Sequence, residues 1–252
     1  MSGHSKWSTI KRKKGALDAK RSKIFTKLIK EITVAVKEGG GADPAGNPRL
    51  RLAIQASKAA NMPKDNMERA IKKGEGTDGN YTEVTYEGYG SNGVAVFVDA
   101  MTDNVNRTFQ NVRTIFNKNG GSLGTKGSLE FIFDRKGIFV IRRNERFSFE
   151  EDAFLLEMID GGAEEVSFEE EVVTVTCALE DFGAMQRKVE ALDLELESAE
   201  LQRIPKTSVA VEDPEAVRKL LKLIDALEDD DDVQQVYHNL ELNEQVLAAL
   251  EN

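Results

Sequence analysis

The amino-acid sequence predicts a multidomain α+β protein: an N-terminal helical domain plus two α+β domains of ferredoxin-like βαββαβ type, one inserted in the other. Three observations lead to this fold class. The chain has 252 residues, more than one hydrophobic core usually holds together. The spacing of its apolar residues changes from helical to strand-like after about residue 75. The predicted elements of residues 135–204 follow the order βαββαβ. The predicted domains are residues 1–77, a split domain of 78–134 plus 205–252, and an insert at 135–204.

The first helix is predicted over residues 18–37. Apolar residues recur there at spacings of three and four, as on the buried face of an amphipathic helix. Lys20, Lys23, Lys27 and Lys30 fall on a narrow stripe roughly opposite that face. One side of the helix should therefore pack, while the other presents a row of ammonium groups, called here the lysine row.

Two more helices complete the N-terminal domain, called here the head. Three glycines at residues 39–41 end the first helix. The pair Asn47-Pro48 is typical of an N-cap and a first helical position, and opens a helix that runs to about residue 60. The string Met62-Pro63-Lys64-Asp65 opens a third helix, which Gly74 is expected to end.

The split domain is predicted from β-branched and aromatic runs on both sides of the insert. Its helix at residues 104–118 should bury Val105, Phe109, Val112 and Phe116, which share one face. The elements after the insert are too few to form a core alone, so they are assigned to the domain that precedes it. The predicted strands are residues 82–86, 94–100, 129–134, 208–211 and 233–238, and the second helix covers residues 213–227.

The insert carries the βαββαβ order. This order is typical of an antiparallel sheet with both helices on one face. The predicted strands are residues 138–142, 164–168, 172–177 and 197–203, and the predicted helices are residues 149–159 and 181–192.

Charge divides the chain along these domains. Residues 1–75 hold 18 Lys and Arg against 7 Asp and Glu, a net charge of +11, whereas the rest of the chain carries −21. Screening acts over about 10 Å at moderate salt, so the head keeps its own field in a protein of net charge −10. A polyanionic partner is therefore compatible with the acidic composition, and the acidic domains should repel it everywhere except at the head.

Enzymatic chemistry finds little support. The two histidines are His4 and His238, and the single cysteine, Cys177, belongs to no metal-ligand spacing. The glycine-rich loop at residues 120–127 follows a helix, and its lysine is not at the position that a P-loop requires. The two remaining interpretations are a mobile loop and a loop whose backbone contacts a partner. The acidic run at residues 228–232 is predicted to be a solvated turn. We expect no catalytic residue, metal site or cofactor; the enzymatic alternative is a metal-dependent nuclease that uses the acidic domains.

The basic head is the candidate nucleic-acid site. Its first thirty residues contain ten Lys and Arg against one acid, Asp18. Spaced cations displace counterions from phosphates, and Trp7 can stack on a base. The alternative is a basic face that meets only solvent, with Trp7 as a hydrophobic anchor. Arg49 and Arg51 are added as candidates for bidentate contact with phosphate or base. The predicted contact residues are Lys6, Trp7, Lys11, Arg12, Lys13, Lys14, Lys20, Arg21, Lys23, Lys27, Lys30, Arg49 and Arg51.

Several strings in this sequence resemble the YebC/PmpR family, over essentially the whole chain. They are Gly3-His-Ser-Lys-Trp7, Asp18-Ala-Lys-Arg21, Lys23-Ile-Phe25, Asn47-Pro-Arg-Leu-Arg51, Asn61-Met-Pro-Lys64, Tyr86-Glu-Gly-Tyr-Gly90, Thr102-Asp-Asn104, Asn106-Arg-Thr108 and Gly120-Gly-Ser-Leu-Gly124. The resemblance implies three domains, with one α+β domain inserted in another. It also implies a cytoplasmic DNA-binding transcriptional regulator, and it brings no established catalytic residues.

The resemblance leaves two roles open. The first is a non-enzymatic DNA-binding transcriptional regulatory protein that contacts phosphates through the head. The second is a translation factor that binds the ribosome and its rRNA and activates translation or relieves stalling at proline-rich stretches, as some relatives do. No membrane partner is expected, since no apolar run reaches the roughly 18 residues that span a bilayer. No small-molecule substrate is expected either. The oligomeric state stays open, with a monomer slightly favoured.

Overall fold

The computed structural model describes residues 17–76, 80–145, 147–241, 243 and 246, with side chains from residue 21 onward. The chain divides into two compact units. One unit is Asp134–Ile204, and the other combines the described residues up to Phe133 with those from Pro205 onward. The head and the split domain therefore lie in one unit and the insert forms the other. The expected multidomain α+β fold class is confirmed.

The order of helices and strands along the chain is the one that the sequence indicates, with the differences described below. In chain order the elements are α1 (Leu17–Glu38), α2 (Pro48–Ala59), α3 (Lys64–Glu75), β1 (Thr82–Tyr89), β2 (Ala95–Thr102), α4 (Val105–Lys118), β3 (Ser122–Leu123), β4 (Phe133–Arg142), α5 (Glu151–Asp160), β5 (Ala163–Phe168), β6 (Val172–Ala178), α6 (Phe182–Ala191), β7 (Leu196–Pro205), α7 (Pro214–Glu228) and β8 (Val233–His238).

The head is a packed arrangement of α1, α2 and α3. Asn47 caps α2 as predicted, because its side-chain oxygen accepts a hydrogen bond from the Leu50 amide at 3.0 Å. The Asn47 side chain also donates to the carbonyl oxygen of Ala35 at 2.7 Å, which ties the start of α2 to α1. The buried core of the head consists of Ile32, Ala35, Val36, Leu50, Ala53, Met62, Met67 and Ala70.

Gly74 has a different role from the one expected. The sequence suggested that it ends the third helix, but α3 continues to Glu75 and Gly74 is buried within it. A Cβ atom at this position would lie 2.7 Å from the Val36 Cβ atom and 2.8 Å from the Thr33 carbonyl oxygen. The expectation was wrong because this glycine serves close packing, letting α3 approach the backbone of α1.

Replacing Gly74 by alanine should lower the free energy of unfolding by about 1–3 kcal/mol. The new methyl group would overlap the Thr33 carbonyl oxygen, which cannot move without a shift of α1. Urea denaturation of the full chain measures the change. Gly46→Ala is the matched control in the same domain, since its Cβ atom would lie 4.0 Å from the nearest atom. Equal losses in the two variants would contradict the close-packing role.

The split domain is built on an antiparallel sheet with the strand order β3-β1-β2-β8. Alternate residues of β2 contribute to two different cores, because successive side chains of a strand point to opposite faces. Val96 and Val98 pack with α4 and α7, while Ala95 and Phe97 pack with Phe133. The sheet is thus covered on both faces. Helices α4 and α7 lie on the face that carries Val96 and Val98.

Two predicted strands of this domain are wrong. Residues 129–132 form turns, and β4 begins only at Phe133. The reason is that the Leu129 amide donates to the Glu87 carboxylate at 2.6 Å, so this donor is not free for a strand ladder. The predicted strand at 208–211 reduces to a single bridge between Val209 and Leu240. Strand β3 was not predicted, since two residues carry no periodic pattern.

Helix α4 buries only part of its predicted apolar face. Val112 and Phe116 are fully buried, but Val105 is 42% exposed and Phe109 is 38% exposed. Thr108, which lies between Val105 and Phe109 in the sequence, is buried instead. Its hydroxyl group donates a hydrogen bond to the Asp232 carboxylate and does not join the hydrophobic core. The expectation for Val105 and Phe109 was therefore wrong, because the first turns of α4 pack on polar groups.

The insert has the ferredoxin-like strand order. Its sheet runs β5-β6-β4-β7, with the first and third strands of the insert in the centre. Phe139 and Val175 of the sheet share one core with Phe154 of α5 and Met185 of α6, so both helices cover the same face. The ferredoxin-like prediction for this part of the chain is confirmed.

Candidate nucleic-acid interface

The thirteen predicted contact residues fall into three groups. Lys6, Trp7, Lys11, Arg12, Lys13 and Lys14 lie outside the described residues. For Lys20 the structure describes a position in α1 and no side chain. The other six have described side chains: Arg21, Lys23, Lys27, Lys30, Arg49 and Arg51.

The acidic run at residues 228–232, called here the acidic turn, connects α7 to β8. It was predicted to be a solvated turn: Asp229 and Asp231 are exposed as expected, and the prediction is wrong at Asp232. Asp232 is buried, with 6% of its surface exposed. The turn lies against the lysine row of α1, about two hundred residues away in the sequence. A negative segment of the split domain therefore meets a positive segment of the head.

Lys23 and Lys27 bind the end of helix α7. The Lys23 ammonium group lies 2.9 Å from the Asp229 carboxylate and donates to the Asp229 carbonyl oxygen at 3.1 Å. Lys27 donates to the Glu228 carbonyl oxygen at 2.9 Å. The last carbonyl groups of a helix have no partner within the helix and carry partial negative charge, so cations stabilise this end. Burial lowers the pKa of Lys27, and the charge of Glu228 opposes that shift.

Lys30 continues the row into the interior. Its ammonium group contacts the Asp232 carboxylate at 2.6 Å and donates to the carbonyl oxygens of Asp231 at 2.8 Å and Met101 at 3.3 Å. Only 7% of Lys30 is exposed. The expectation that the whole lysine row faces solvent is therefore wrong at Lys30, because the split domain supplies three oxygen acceptors there.

The other oxygen of Asp232 is bound from the split domain itself. It accepts hydrogen bonds from Arg107 at 2.7 Å, Thr108 at 2.8 Å and Thr102 at 3.2 Å. Burial raises the pKa of the Asp232 carboxyl group, but the hydrogen bonds from Lys30, Arg107 and Thr108 outweigh burial and lower the pKa to about 2. Asp232 is thus a charged, fully bound group that joins α1, α4 and the acidic turn.

Three arginines of the head also bind groups of this chain. Arg21 donates to the Asn61 carbonyl oxygen at 3.2 Å, and its guanidinium group lies 5.4 Å from the centre of the Phe25 ring. Arg49 contacts Glu31 at 2.7 Å and also pairs with Glu83. Arg51 donates to the Pro44 carbonyl oxygen at 3.3 Å. Arg21 is the most exposed of the three, so it is the arginine best placed to reach an external anion.

The glycine-rich loop is organised by a residue that sequence reasoning missed. The Glu87 carboxylate, buried beneath the loop, accepts hydrogen bonds from the Gly127 amide at 2.7 Å and the Leu129 amide at 2.6 Å. The Glu87 carbonyl oxygen also accepts from the Gly124 amide at 2.8 Å. A carboxylate therefore occupies amide donors that a phosphate would need, which agrees with rejecting a phosphate cradle. The available signal was a lone glutamate between the aromatic residues of β1.

The remaining chemically active side chains are buried. Cys177 lies in the insert core, where burial raises the pKa of its thiol to about 11. His238 is 2% exposed at the end of β8. Within the described parts of the chain, no group of three or more His, Cys, Asp and Glu side chains could hold a metal ion. None of the described helices is long and apolar enough to cross a membrane.

A basic three-helix head bound through an acidic turn to an α+β domain, together with a ferredoxin-like insert, defines a class of multidomain α+β proteins. Comparison with known families identifies the class. The model of the TACO1/YebC N-terminal domain matches residues 5–77, and that of the TACO1/YebC second and third domain matches residues 81–240. The chain belongs to the TACO1/YebC family.

Similar proteins agree with this assignment. A relative from Geobacillus thermodenitrificans (strain NG80-2) is 53% identical over 243 residues, which cover 96% of this chain and 97% of the relative. Another from Geotalea uraniireducens (strain Rf4) is 54% identical over 252 residues, covering 99% and 100%. Both are named probable transcriptional regulatory proteins. The crystal structure of a conserved hypothetical protein from Aquifex aeolicus matches with a TM-score of 0.80 and 44% identity, covering 92% of this chain and 95% of that one.

Proposed function

We propose that this protein is a non-enzymatic, cytoplasmic regulator that binds DNA through its basic head. The observation that carries the proposal is the charge of the first thirty residues, ten cations against one acid, in a chain whose net charge is −10. Phosphate backbones are bound by such clusters through the release of counterions. The names of the relatives favour a role in transcription.

The contacts in the head divide its cations into two roles. Lys30 is buried on Asp232, and we assign it to holding the head on the split domain. Lys23 forms an exposed pair, in which the lysine side chain is 37% exposed and the Asp229 side chain is 65% exposed. Exposed pairs contribute only about 0–1 kcal/mol, so a phosphate can replace Asp229 at little cost. Phosphate contact is therefore proposed for Lys23, Arg21, Lys20 and the basic residues before them.

Reversing three charges of the head tests this proposal. Lys13→Glu, Lys14→Glu and Lys23→Glu together should weaken binding to a 30-base-pair duplex at least about 100-fold at 0.1 M salt and flatten its salt dependence. Fluorescence anisotropy over a salt series measures both quantities. A structured RNA of equal length is measured in parallel, and tighter binding to RNA than to DNA would favour the ribosomal role.

The matched control reverses three exposed cations of α7, Arg218→Glu, Lys219→Glu and Lys222→Glu, which changes the net charge by the same amount. This control should keep its affinity within about threefold of the parent. If the head variant binds as tightly as the parent, or if both variants lose affinity equally, the head is not the contact surface.

A further inference from the structure

Helix α4 differs in composition from the domain around it. Its fourteen residues, VNRTFQNVRTIFNK, contain no Asp or Glu. The split domain, residues 78–134 plus 205–252, has 8 basic against 19 acidic residues. Helix α4 nevertheless carries three cations and four amide side chains: Arg107, Arg113, Lys118, Asn106, Gln110, Asn111 and Asn117. A long acid-free helix on a strongly acidic domain is a local surface that a polyanion can approach.

Four of these side chains form one exposed stripe. Asn106, Gln110, Arg113 and Asn117 are all exposed and follow the spacing i, i+4, i+7 and i+11. At 100° per residue they occupy an arc of roughly 60°, and at 1.5 Å per residue they span about 16 Å. The opposite side of the helix is buried in the domain core. The stripe, called here the amide–arginine stripe, therefore points away from the protein.

Apolar side chains border one edge of the stripe. Val105 and Phe109 are apolar residues with exposed surface in the first turns of α4, and the Phe109 ring lies 6.2 Å from the Tyr86 ring. The Tyr86 hydroxyl group donates to the Val105 carbonyl oxygen at 3.4 Å. At 100° per residue, Phe109 lies roughly 40° from the edge of the stripe, whereas Val105 lies roughly 80° away, towards the buried side of the helix.

The other edge anchors the helix. Arg107 is paired with Asp103 at 2.9 Å and with Asp232 at 2.7 Å, and Asn104 caps the helix by accepting from the Arg107 amide at 3.1 Å. Asn111 contacts Asp230 at 3.4 Å. Helix α4 is therefore held on the side that contacts Asp103, Asp230 and Asp232, while the amide–arginine stripe is turned away from the acidic turn.

The side chains of the stripe are those that read base edges in the major groove of DNA. Arginine pairs with the two acceptors of guanine, asparagine and glutamine pair with adenine, and apolar groups contact the thymine methyl group. A helix of 10–12 Å diameter fits the major groove of B-form DNA, about 12 Å wide. The deep, narrow major groove of A-form RNA excludes it. The head, in contrast, consists mainly of lysines, which contact phosphates as point charges.

We propose that the amide–arginine stripe of α4 is a second DNA-contact surface, which reads base sequence in the major groove while the head binds phosphates. The proposal rests on the proposed function, because the phosphate contacts of the head supply most of the affinity. It adds a division of labour: the head governs affinity and salt dependence, and α4 governs the preference among sequences.

Selection from a randomised duplex library tests the division. The full-length parent should enrich a motif and bind it roughly 100-fold more tightly than random duplex at physiological salt, the preference that two bidentate base contacts would give. Gln110→Ala combined with Arg113→Ala should reduce this preference to within about threefold, with little change in affinity for random duplex. Both positions are exposed, and thermal unfolding of the variant verifies that the fold is kept.

Two further variants separate base reading from charge. Arg113→Lys keeps the charge and loses the planar guanidinium group, so it should lose preference at one base pair of the motif while its salt dependence stays that of the parent. Arg218→Ala removes one cation from the exposed side of α7 and should leave the motif unchanged.

Four results would overturn the proposal. If the parent binds duplex DNA without enriching a motif, or if the α4 variants enrich the parental motif, α4 does not read bases and the function proposed for the head stands. If the parent enriches a motif only from a structured RNA library, the assigned class of nucleic acid is wrong. If the parent binds neither library, the proposed function fails together with this inference.

Discussion

Replacing Asp232 by alanine should lower the free energy of unfolding by about 3–5 kcal/mol, the largest effect expected of any single substitution at the junction of head and split domain. The substitution leaves the buried Lys30 ammonium group without its carboxylate, and it also removes one hydrogen-bond acceptor from each of Thr102 and Thr108. A buried charge without its partner retains the full cost of desolvation. Urea denaturation followed by circular dichroism measures the loss.

Asp231→Ala is the matched control for Asp232. It removes one carboxylate from the same acidic turn, but Asp231 is exposed and Lys30 binds its main-chain oxygen rather than its side chain. We expect a change within about 1 kcal/mol. A double variant, Lys30→Met with Asp232→Leu, should recover part of the stability, since it removes both charges together. Equal losses at Asp231 and Asp232 would show that the buried junction does not stabilise the fold.

The same carboxylate predicts how stability depends on acid. The folded-state pKa of Asp232, about 2, lies below the value of about 3.9 expected in the unfolded chain. Folding therefore favours the ionised form, so the stabilisation is complete above about pH 4 and is lost as the pH falls towards 2. The difference in unfolding free energy between the parent and Asp232→Ala should shrink over that window. A difference independent of pH from 5 to 2 would contradict the assignment.

Replacing Glu87 by alanine should cost about 2–4 kcal/mol and loosen the glycine-rich loop. The carboxylate is buried and accepts from the amides of Gly127 and Leu129, so its removal leaves these donors without an acceptor. Amide hydrogen exchange is the local readout: protection of Leu129, a buried residue, should fall most. Urea denaturation gives the global cost.

Glu130→Ala is the control for Glu87, since Glu130 is exposed on the segment that follows the same loop. It should change stability by less than about 0.5 kcal/mol and leave exchange at Leu129 unaltered. Glu87→Gln should fall between the two variants, because an amide keeps one oxygen acceptor and turns a donor towards the other amide group. Unchanged protection of Leu129 in Glu87→Ala would show that the loop does not depend on this carboxylate.

Local sequence patterns were sufficient for most of the fold. The pair Asn47-Pro48 marks the start of α2 because a cap and its helix are adjacent in the chain. The ferredoxin-like insert was found from the order of its periodic segments. Gly74 shows where such reasoning ends: one glycine can end a helix or admit a neighbouring helix, and only the position of α1 distinguishes the two.

The candidate interface depended more heavily on the folded chain. The lysine row and the acidic turn were both visible as charge runs, but the sequence assigned one to phosphate and the other to solvent. In the structure Lys23, Lys27 and Lys30 contact the turn. Opposite charge runs in separate domains were the signal that could have suggested this contact. Sequence reasoning likewise missed the amide–arginine stripe, because amide side chains carry no charge and are not part of a charge run.

Composition and residue order were enough to establish a basic helical head, two acidic α+β domains and membership of one family, because charge, periodicity and capping depend on residues within a few positions of one another. The partners of the individual cations required the folded chain. Lys30 and Asp232 are 202 positions apart, and β-sheet pairing and helix packing bring them to 2.6 Å. A lysine can bind phosphate only if its ammonium group is not already bound by acceptors of the folded protein. The ammonium group of Lys30 is bound by three such acceptors.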